Sequence, residues 1–334
     1  MLQRLVAAAF VLALGASIAT APGSSSTTAT AWRALVKAPG IIDVVGPRAD
    51  GRLVLATHTG LFLLRPGRAP KPFARGSSGY AGAAGEPYIA LAHARRLPGA
   101  NCAFRRDDVF ALDPSRPGVV RITARGQATR FMDLPAGTFP AGIAFDGVGT
   151  FGFRLLMTVR SGGKTVLYAT DCRGRSRLVT SQGPPVEGGI AVAPRSFGRY
   201  GGDLIAADEV SGNVFAFDPR GQTRLVVASG LPAGGDIGVE ALGFVRTPLG
   251  GRSSAYLADL GSPGSPTPGT DSLLVRRGSD LRAAHLRVGD LVTATEASAR
   301  TLVIRCARRC TLRRIGVGPS AAHAEGHITF VARG

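Results

Sequence analysis

An all-β chain built from repeated four-stranded units is what this sequence predicts, and three observations predict it. The first is a unit reading aliphatic, aromatic, Ala, any residue, Asp. It occurs as Val109-Phe110-Ala111-Leu112-Asp113, Leu167-Tyr168-Ala169-Thr170-Asp171 and Val214-Phe215-Ala216-Phe217-Asp218, copies 58 and 47 residues apart. The second is a unit that precedes it: Glu86-Pro87-Tyr88-Ile89-Ala90-Leu91, Pro140-Ala141-Gly142-Ile143-Ala144-Phe145 and Glu187-Gly188-Gly189-Ile190-Ala191-Val192. Val239-Glu240-Ala241-Leu242-Gly243-Phe244 is a variant, and Glu325-Gly326-His327-Ile328-Thr329-Phe330 also fits. The third is an apolar run between the two units, at residues 155–159, 204–207 and 255–258, with Gly, Pro and Asp turns throughout and no convincing helix. Four short strands per repeat of about 40 to 50 residues is the pattern of a β-propeller blade.

Taken in order, the chain starts with a positive Met1 to Arg4 and an apolar run over residues 5–19, followed by the small-residue sites Ala19-Thr20-Ala21 and Ala29-Thr30-Ala31. This reads as an export signal cut near Ala19 or Ala31, an uncleaved anchor being the alternative, with a Gly/Ser/Thr tether behind it. Residues 1–31 are therefore signal and tether, and 32–334 a single propeller domain. Six blades are expected, spanning about 39–80, 81–131, 140–180, 185–228, 236–286 and 288–334; a β-sandwich or another blade number is the alternative. Decayed copies of the first unit are Leu61-Phe62-Leu63-Leu64-Arg65 and Leu273-Leu274-Val275-Arg276. Ring closure is open: residues 325–331 either form the outer strand of the last blade or complete the first.

Composition narrows the class. Of 334 residues, 45% are hydrophobic and 19% charged, too apolar for a disordered chain and too poor in charge for a coiled coil. The 40 basic against 22 acidic residues leave +18. Basic residues are nearly all Arg and are spread through the turns and outer strands (Arg65, Arg68, Arg173, Arg175, Arg177, Arg220, Arg224). Nucleic acid is therefore not the expected partner, and the excess charge implies at most an affinity for anionic envelope polymers. Four cysteines in an exported chain suggest two disulfides among three connectivities. Cys306 and Cys310 bracket a tight hairpin, which leaves Cys102 with Cys172.

The strand order, together with Asp208-Glu209-Val210-Ser211-Gly212-Asn213-Val214-Phe215-Ala216-Phe217-Asp218-Pro219-Arg220-Gly221, resembles six-bladed propellers of the NHL, gluconolactonase and strictosidine-synthase-like group. The resemblance covers most of residues 40–290. It implies a divalent cation on the propeller axis, held by a Glu that starts an inner strand. Glu86, in Gly85-Glu86-Pro87, would be that ligand, with Glu187 in the corresponding place of another blade. The Asn-Gly-Ile element of gluconolactonases is missing, since this chain has Pro140-Ala141-Gly142-Ile143.

Read from the residues themselves, Glu86, Glu187, Glu240 and Glu325 are expected to converge near one mouth of the axis. Like charges brought together need a cation, and oxygen ligands suit Ca²⁺ or another divalent cation such as Mg²⁺. Hydrogen bonds to neighbouring backbone or pairing with Arg is the structural alternative. His58 and His93 follow strand-like runs and are candidate acid–base groups. His323-Ala-Glu325-Gly-His327 alternates, which in a regular strand would put three ligands for Zn²⁺ or Fe on one face. Asp113, Asp171, Asp208, Asp218 and Asp259 read as turn caps. Gly147-Val-Gly149-Thr-Phe-Gly152 lies between two strands and reads as a hairpin turn rather than a nucleotide loop. Residues 261–270 read as a long loop over one mouth. The expected function is a secreted, monomeric propeller that binds a small molecule, glycan or protein at one face, or alternatively a metal-dependent lactone or ester hydrolase.

Overall fold

The computed structural model describes residues 31–332. The expected signal and tether, apart from Ala31, lie outside the described residues. Twenty-four of the strands form six four-stranded units. Blade one is Ile41–Val45, Leu53–Thr57, Gly60–Leu64 and Lys71–Phe73, in that order from the axis outward. Blade two is Ile89–Leu91, Val109–Asp113, Gly118–Ile122 and Ala128–Asp133. Blade three is Phe139–Phe145, Leu155–Ser161, Lys164–Thr170 and Ser176–Gly183. Blade four is Glu187–Val192, Leu204–Asp208, Asn213–Phe217 and Thr223–Ala228.

The remaining eight strands form one continuous sheet that divides into two antiparallel halves. Blade five is Val239–Phe244, Leu291–Thr295, Thr301–Cys306 and Cys310–Gly316. Blade six is Ala324–Ala332, Ser253–Asp259, Ser272–Arg277 and Arg33–Lys37. Their inner strands meet in a parallel bridge at Leu242 and His327. Each inner strand contacts the next around the circle, and that of blade six returns to that of blade one, so the ring closes.

This corrects the expected spans 236–286 and 288–334. After the inner strand of blade five the chain crosses to build the middle of blade six, returns to finish blade five, and ends on the inner strand of blade six. Residues 325–331 are therefore neither an outer strand nor part of blade one. The outer strand of blade six comes from Arg33–Lys37. Beside it Trp32 is buried in the blade five and six core, and its indole Nε1 donates to Thr301 Oγ1 at 2.8 Å. Thr301 also donates to the Ala299 carbonyl. Trp32→Phe removes one hydrogen bond and part of the fused ring, leaving a small cavity, so it is expected to cost about 2 kcal/mol in urea unfolding followed by circular dichroism. A loss near zero would show that the indole anchors nothing.

Packing explains the repeated unit. Its central alanines Ala111, Ala169 and Ala216 are fully buried, because a larger side chain would hold the neighbouring blade away. In blades three and four the unit is the third strand, but in blade two it is the second. The cause is a two-stranded hairpin, Arg95–Leu97 with Cys102–Phe104, that leaves the sheet directly after the inner strand. Both disulfides join the expected pairs. Cys306 and Cys310 sit opposite each other on adjacent strands, while Cys102–Cys172 ties the blade-two hairpin to blade three. Among the described residues no helix is long and apolar enough to cross a membrane.

Candidate functional site

The six inner strands run parallel, so their first residues line one mouth of the axis and their last residues the other. Between the mouths the axis is shut. Five inner strands carry a register irregularity in their first half, which locally breaks the regular ladder and bends the strand. Glycines let these bends meet. A Cβ on Gly189 would lie 2.1 Å from the Gly326 carbonyl oxygen, and one on Gly142 2.9 Å from that of Gly188. His327 completes the plug. Its Nδ1 lies 2.9 Å from Asp43 Oδ2 and its Nε2 3.1 Å from the Ile190 carbonyl, so it links three blades. Both partners only accept hydrogen bonds, which makes His327 a doubly protonated imidazolium. Burial opposes that charge, but the Asp43 carboxylate outweighs it and holds the His327 pKa above its ordinary value.

The entry mouth gathers acids. The chain contains only six glutamates, Glu86, Glu187, Glu209, Glu240, Glu296 and Glu325, and all six meet here. Glu86, Glu187, Glu240 and Glu325 stand at or just before inner-strand starts, as the sequence leads one to expect. Glu209 and Glu296 come from the adjoining second strands, which run antiparallel and end at this same mouth. Tyr88 stands in the middle. Its hydroxyl is 2.5 Å from Glu240 Oε1 and 2.9 Å from both Glu86 Oε2 and Glu325 Oε2. A hydroxyl has one proton to give, so the other two contacts require carboxyls that are themselves protonated.

The electrostatics agree. Burial and the nearby Glu187 charge push Glu86 up to about 7. Burial and Glu296 push Glu209 up to about 8. Glu240 and Glu325, fully buried, are driven well above the ordinary carboxylate range by desolvation and by their acidic neighbours. Glu187 is raised by burial in spite of its ion pair with Arg160. His323 is the one cation on the floor, with Nε2 2.8 Å from Glu296 Oε1 and 3.3 Å from Glu325 Oε1. Burial works against its charge, but these two carboxylates lift its pKa to about 10. Its Nδ1 lies 3.0 Å from the Thr267 carbonyl, in the loop over residues 261–270, which packs across this mouth and bonds the Glu296 carbonyl through Thr267 Oγ1.

Two expectations need correction, those for His58 and for the His323, Glu325, His327 triplet. His58 lies exposed in the turn between two blade-one strands, where it faces no channel. His93 does face the axis, but at the exit mouth, away from the acids. The His323, Glu325, His327 triplet is split, because Gly326 takes a φ of +66° and breaks the alternation. His323 and Glu325 go to the acid mouth and His327 to the plug. The turn-cap reading holds for four: Asp113 accepts from the Arg116 amide, Asp171 from Arg173 and Arg175, Asp218 from Arg220 and Gln222, and Asp208 from Val210, whereas Asp259 accepts from the distant Thr270 and His323 amides and ties the long loop and the blade-six inner strand together. Asp146 caps the Gly147 to Gly152 turn in the same way.

With ring and mouths in place, the chain can be set beside solved structures. A chain of a nidogen/laminin complex matches it at 14% identity with a TM-score of 0.51, covering 88% of this chain and 85% of that one. The chain is a β-propeller. Two other propeller-group structures align less closely. A catalytically inactive virginiamycin B lyase from Staphylococcus aureus with quinupristin gives 10% identity, TM-score 0.46 and coverage of 90% and 94%. A gluconolactonase from Xanthomonas campestris gives 16%, 0.40 and coverage of 70% and 71%. No protein-family model and no curated protein matches the sequence.

The donor chemistry of the acid mouth of this propeller fits a hard cation. The ligand oxygens of Glu86, Glu240 and Glu325 lie within 4.8 Å of one another, as do those of Glu209, Glu240 and Glu296. Oxygens around a Ca²⁺ at about 2.3–2.6 Å fall within that mutual spacing. The set offers carboxylates almost exclusively, which favours Ca²⁺ or Mg²⁺ over Zn²⁺ or Fe.

Proposed function

We propose that this propeller is an exported, cation-dependent binding protein whose working face is the glutamate mouth. The observation that carries the reading is the gathering of every glutamate in a +18 chain at one mouth, three of them around the buried Tyr88 hydroxyl. Among the described residues only His323 and Arg160 form ion pairs with those acids, so near neutral pH the cluster holds either extra protons or a divalent cation. Glu86, Glu240 and Glu325, or Glu209, Glu240 and Glu296, would hold the ion. It would present open coordination positions to the oxygen atoms of a small molecule, a glycan or an acidic protein loop. Glu86, Glu187 and Glu209 stay partly accessible at the rim while Glu240, Glu296 and His323 form a closed floor, an arrangement suited to capture. The two disulfides support an oxidising location.

A hydrolytic reading has one feature in its favour. Tyr88 and His323 place proton-carrying groups against the same carboxylates, and a bound cation would supply carbonyl polarisation there.

The test is elemental analysis of the purified protein, followed by thermal melting in EDTA and in millimolar Ca²⁺ or Mg²⁺. A saturating cation is expected to add about 3 kcal/mol at a hundredfold excess over its Kd, a rise of several degrees in Tm. Glu240→Gln should abolish the response. If no divalent ion copurifies and Tm ignores added Ca²⁺ and Mg²⁺, the reading fails. A panel of lactones and esters separates the two versions: turnover that EDTA stops would replace capture by hydrolysis.

A further inference from the structure

The exit mouth has the opposite character. Here the ends of all six inner strands enclose a cavity of about 310 Å³, within the range of small-molecule sites. Its walls are apolar and aromatic, including Leu91, Phe145, Phe153, Phe244 and Phe330. Its basic groups are Arg95 and Arg246, with His93 beside them, above the His327 plug. Asp146 is the one carboxylate in the lining, and its oxygens are occupied by the amides of Val148, Gly149, Phe151 and Phe153. Asp43 beneath is likewise committed to His327 and to the Val44 and Ile89 amides.

Arg246 donates Nη2 to the Val192 carbonyl at 2.8 Å and, among the described residues, has no carboxylate within ion-pair distance. Burial lowers its pKa, and the nearby Asp146 charge offsets that only in part. Desolvation, followed by Arg246, Arg106 and Arg95, lowers that of His93. The rim is built to stay in place. Arg95 and Phe104 sit opposite each other on the blade-two hairpin, which Cys102–Cys172 fastens to blade three. Phe153, under the Arg95 guanidinium at 5.6 Å, is held at a φ of +59° by the hydrogen bond its amide N–H donates to Asp146 Oδ2. A bulky residue in that region marks a position the surroundings enforce.

We infer that the exit mouth binds an organic carboxylate carried on an apolar or aromatic body, with Arg246 taking the carboxylate and the phenylalanine walls taking the body. A planar guanidinium in an apolar cavity favours such a ligand, because a bidentate charge-assisted pair replaces solvent at one end while apolar surface is buried at the other. The site shares no residue with the glutamate mouth and is independent of any cation there.

The test uses the full chain and calorimetric titration with 1-naphthoate, 1-naphthalenemethanol and inorganic phosphate, each in EDTA and in Ca²⁺. Naphthoate is expected to bind about tenfold or more tightly than either the neutral alcohol or phosphate, equally with and without Ca²⁺. Arg246→Gln should weaken naphthoate about tenfold while leaving the alcohol unchanged. Arg95→Gln serves if that variant does not fold. Equal binding of acid and alcohol, phosphate binding as tight as naphthoate, no naphthoate binding, or indifference to the Arg substitution would each overturn the assignment.

Discussion

In EDTA, the protein is expected to lose stability steadily as the pH rises from about 5 to 8. In the folded state Glu86 keeps its proton to about 7 and Glu209 to about 8, whereas in the unfolded chain both release it near 4.5. Over that interval the folded state binds more protons than the unfolded one, so the free energy of unfolding falls as pH increases. Glu240 and Glu325 act in the same direction. His323 adds its own loss at higher pH, because a pKa raised from 6.5 to about 10 contributes stability that disappears as pH passes through about 10. Glu86 alone, shifted from 4.5 to about 7, accounts for a change on the order of 3 kcal/mol. Saturating Ca²⁺ should flatten the profile, since the cation takes over the neutralising role of the protons. Urea unfolding at pH 5, 6, 7 and 8, with EDTA or Ca²⁺, measures both curves. A flat or rising curve in EDTA would show that the carboxylates are ionised and otherwise satisfied.

Gly243→Ala should prevent the ring from closing. A Cβ on Gly243 would lie 1.9 Å from the Ile328 carbonyl oxygen and 2.9 Å from its carbon. Both atoms are backbone, so no side chain can rotate away. Gly243 and Ile328 belong to the neighbouring inner strands of blades five and six, which the parallel bridge holds together. Relief would require separating two blades, and the expected loss exceeds about 4 kcal/mol, at the severe end for single substitutions. Gly250→Ala is the control, because nothing lies within 4 Å of its Cβ position and its φ is unremarkable. It should change stability by less than about 0.5 kcal/mol. Soluble yield and urea midpoints decide. Equal behaviour of the two variants would mean that glycine contacts do not close the axis.

The strands were legible because each repeats a pattern that burial enforces: Val109 to Leu112 and Leu204 to Ala207 are buried on both faces between blades. The sheet to which a strand belongs was not legible. Residues 253–259 and 291–295 have equivalent apolar patterns, and nothing in either indicates which follows Val239–Phe244 as its partner. Four of the six acids could be found from their place at inner-strand starts. Glu209 and Glu296 could not, since they follow second strands, and the signal that would have revealed them is the scarcity of glutamate itself. Tyr88 stands in the sequence only as one residue of the Glu86 to Leu91 unit, and only the fold shows three carboxyl groups around its hydroxyl. His327 was misplaced because a positive φ at Gly326 cannot be distinguished in sequence from an ordinary strand glycine.

The crossing of the chain between blades five and six bears on how the ring assembles. In most repeat architectures each unit is contiguous, so one unit can form and template the next. Here neither blade exists as a stretch of chain: blade five lacks its outer three strands until the middle of blade six is in place, and blade six waits for both Arg33–Lys37 and Ala324–Ala332. The two form a single cooperative block, three of the six glutamates of the acid mouth are built on it, and a local opening of one must release the other.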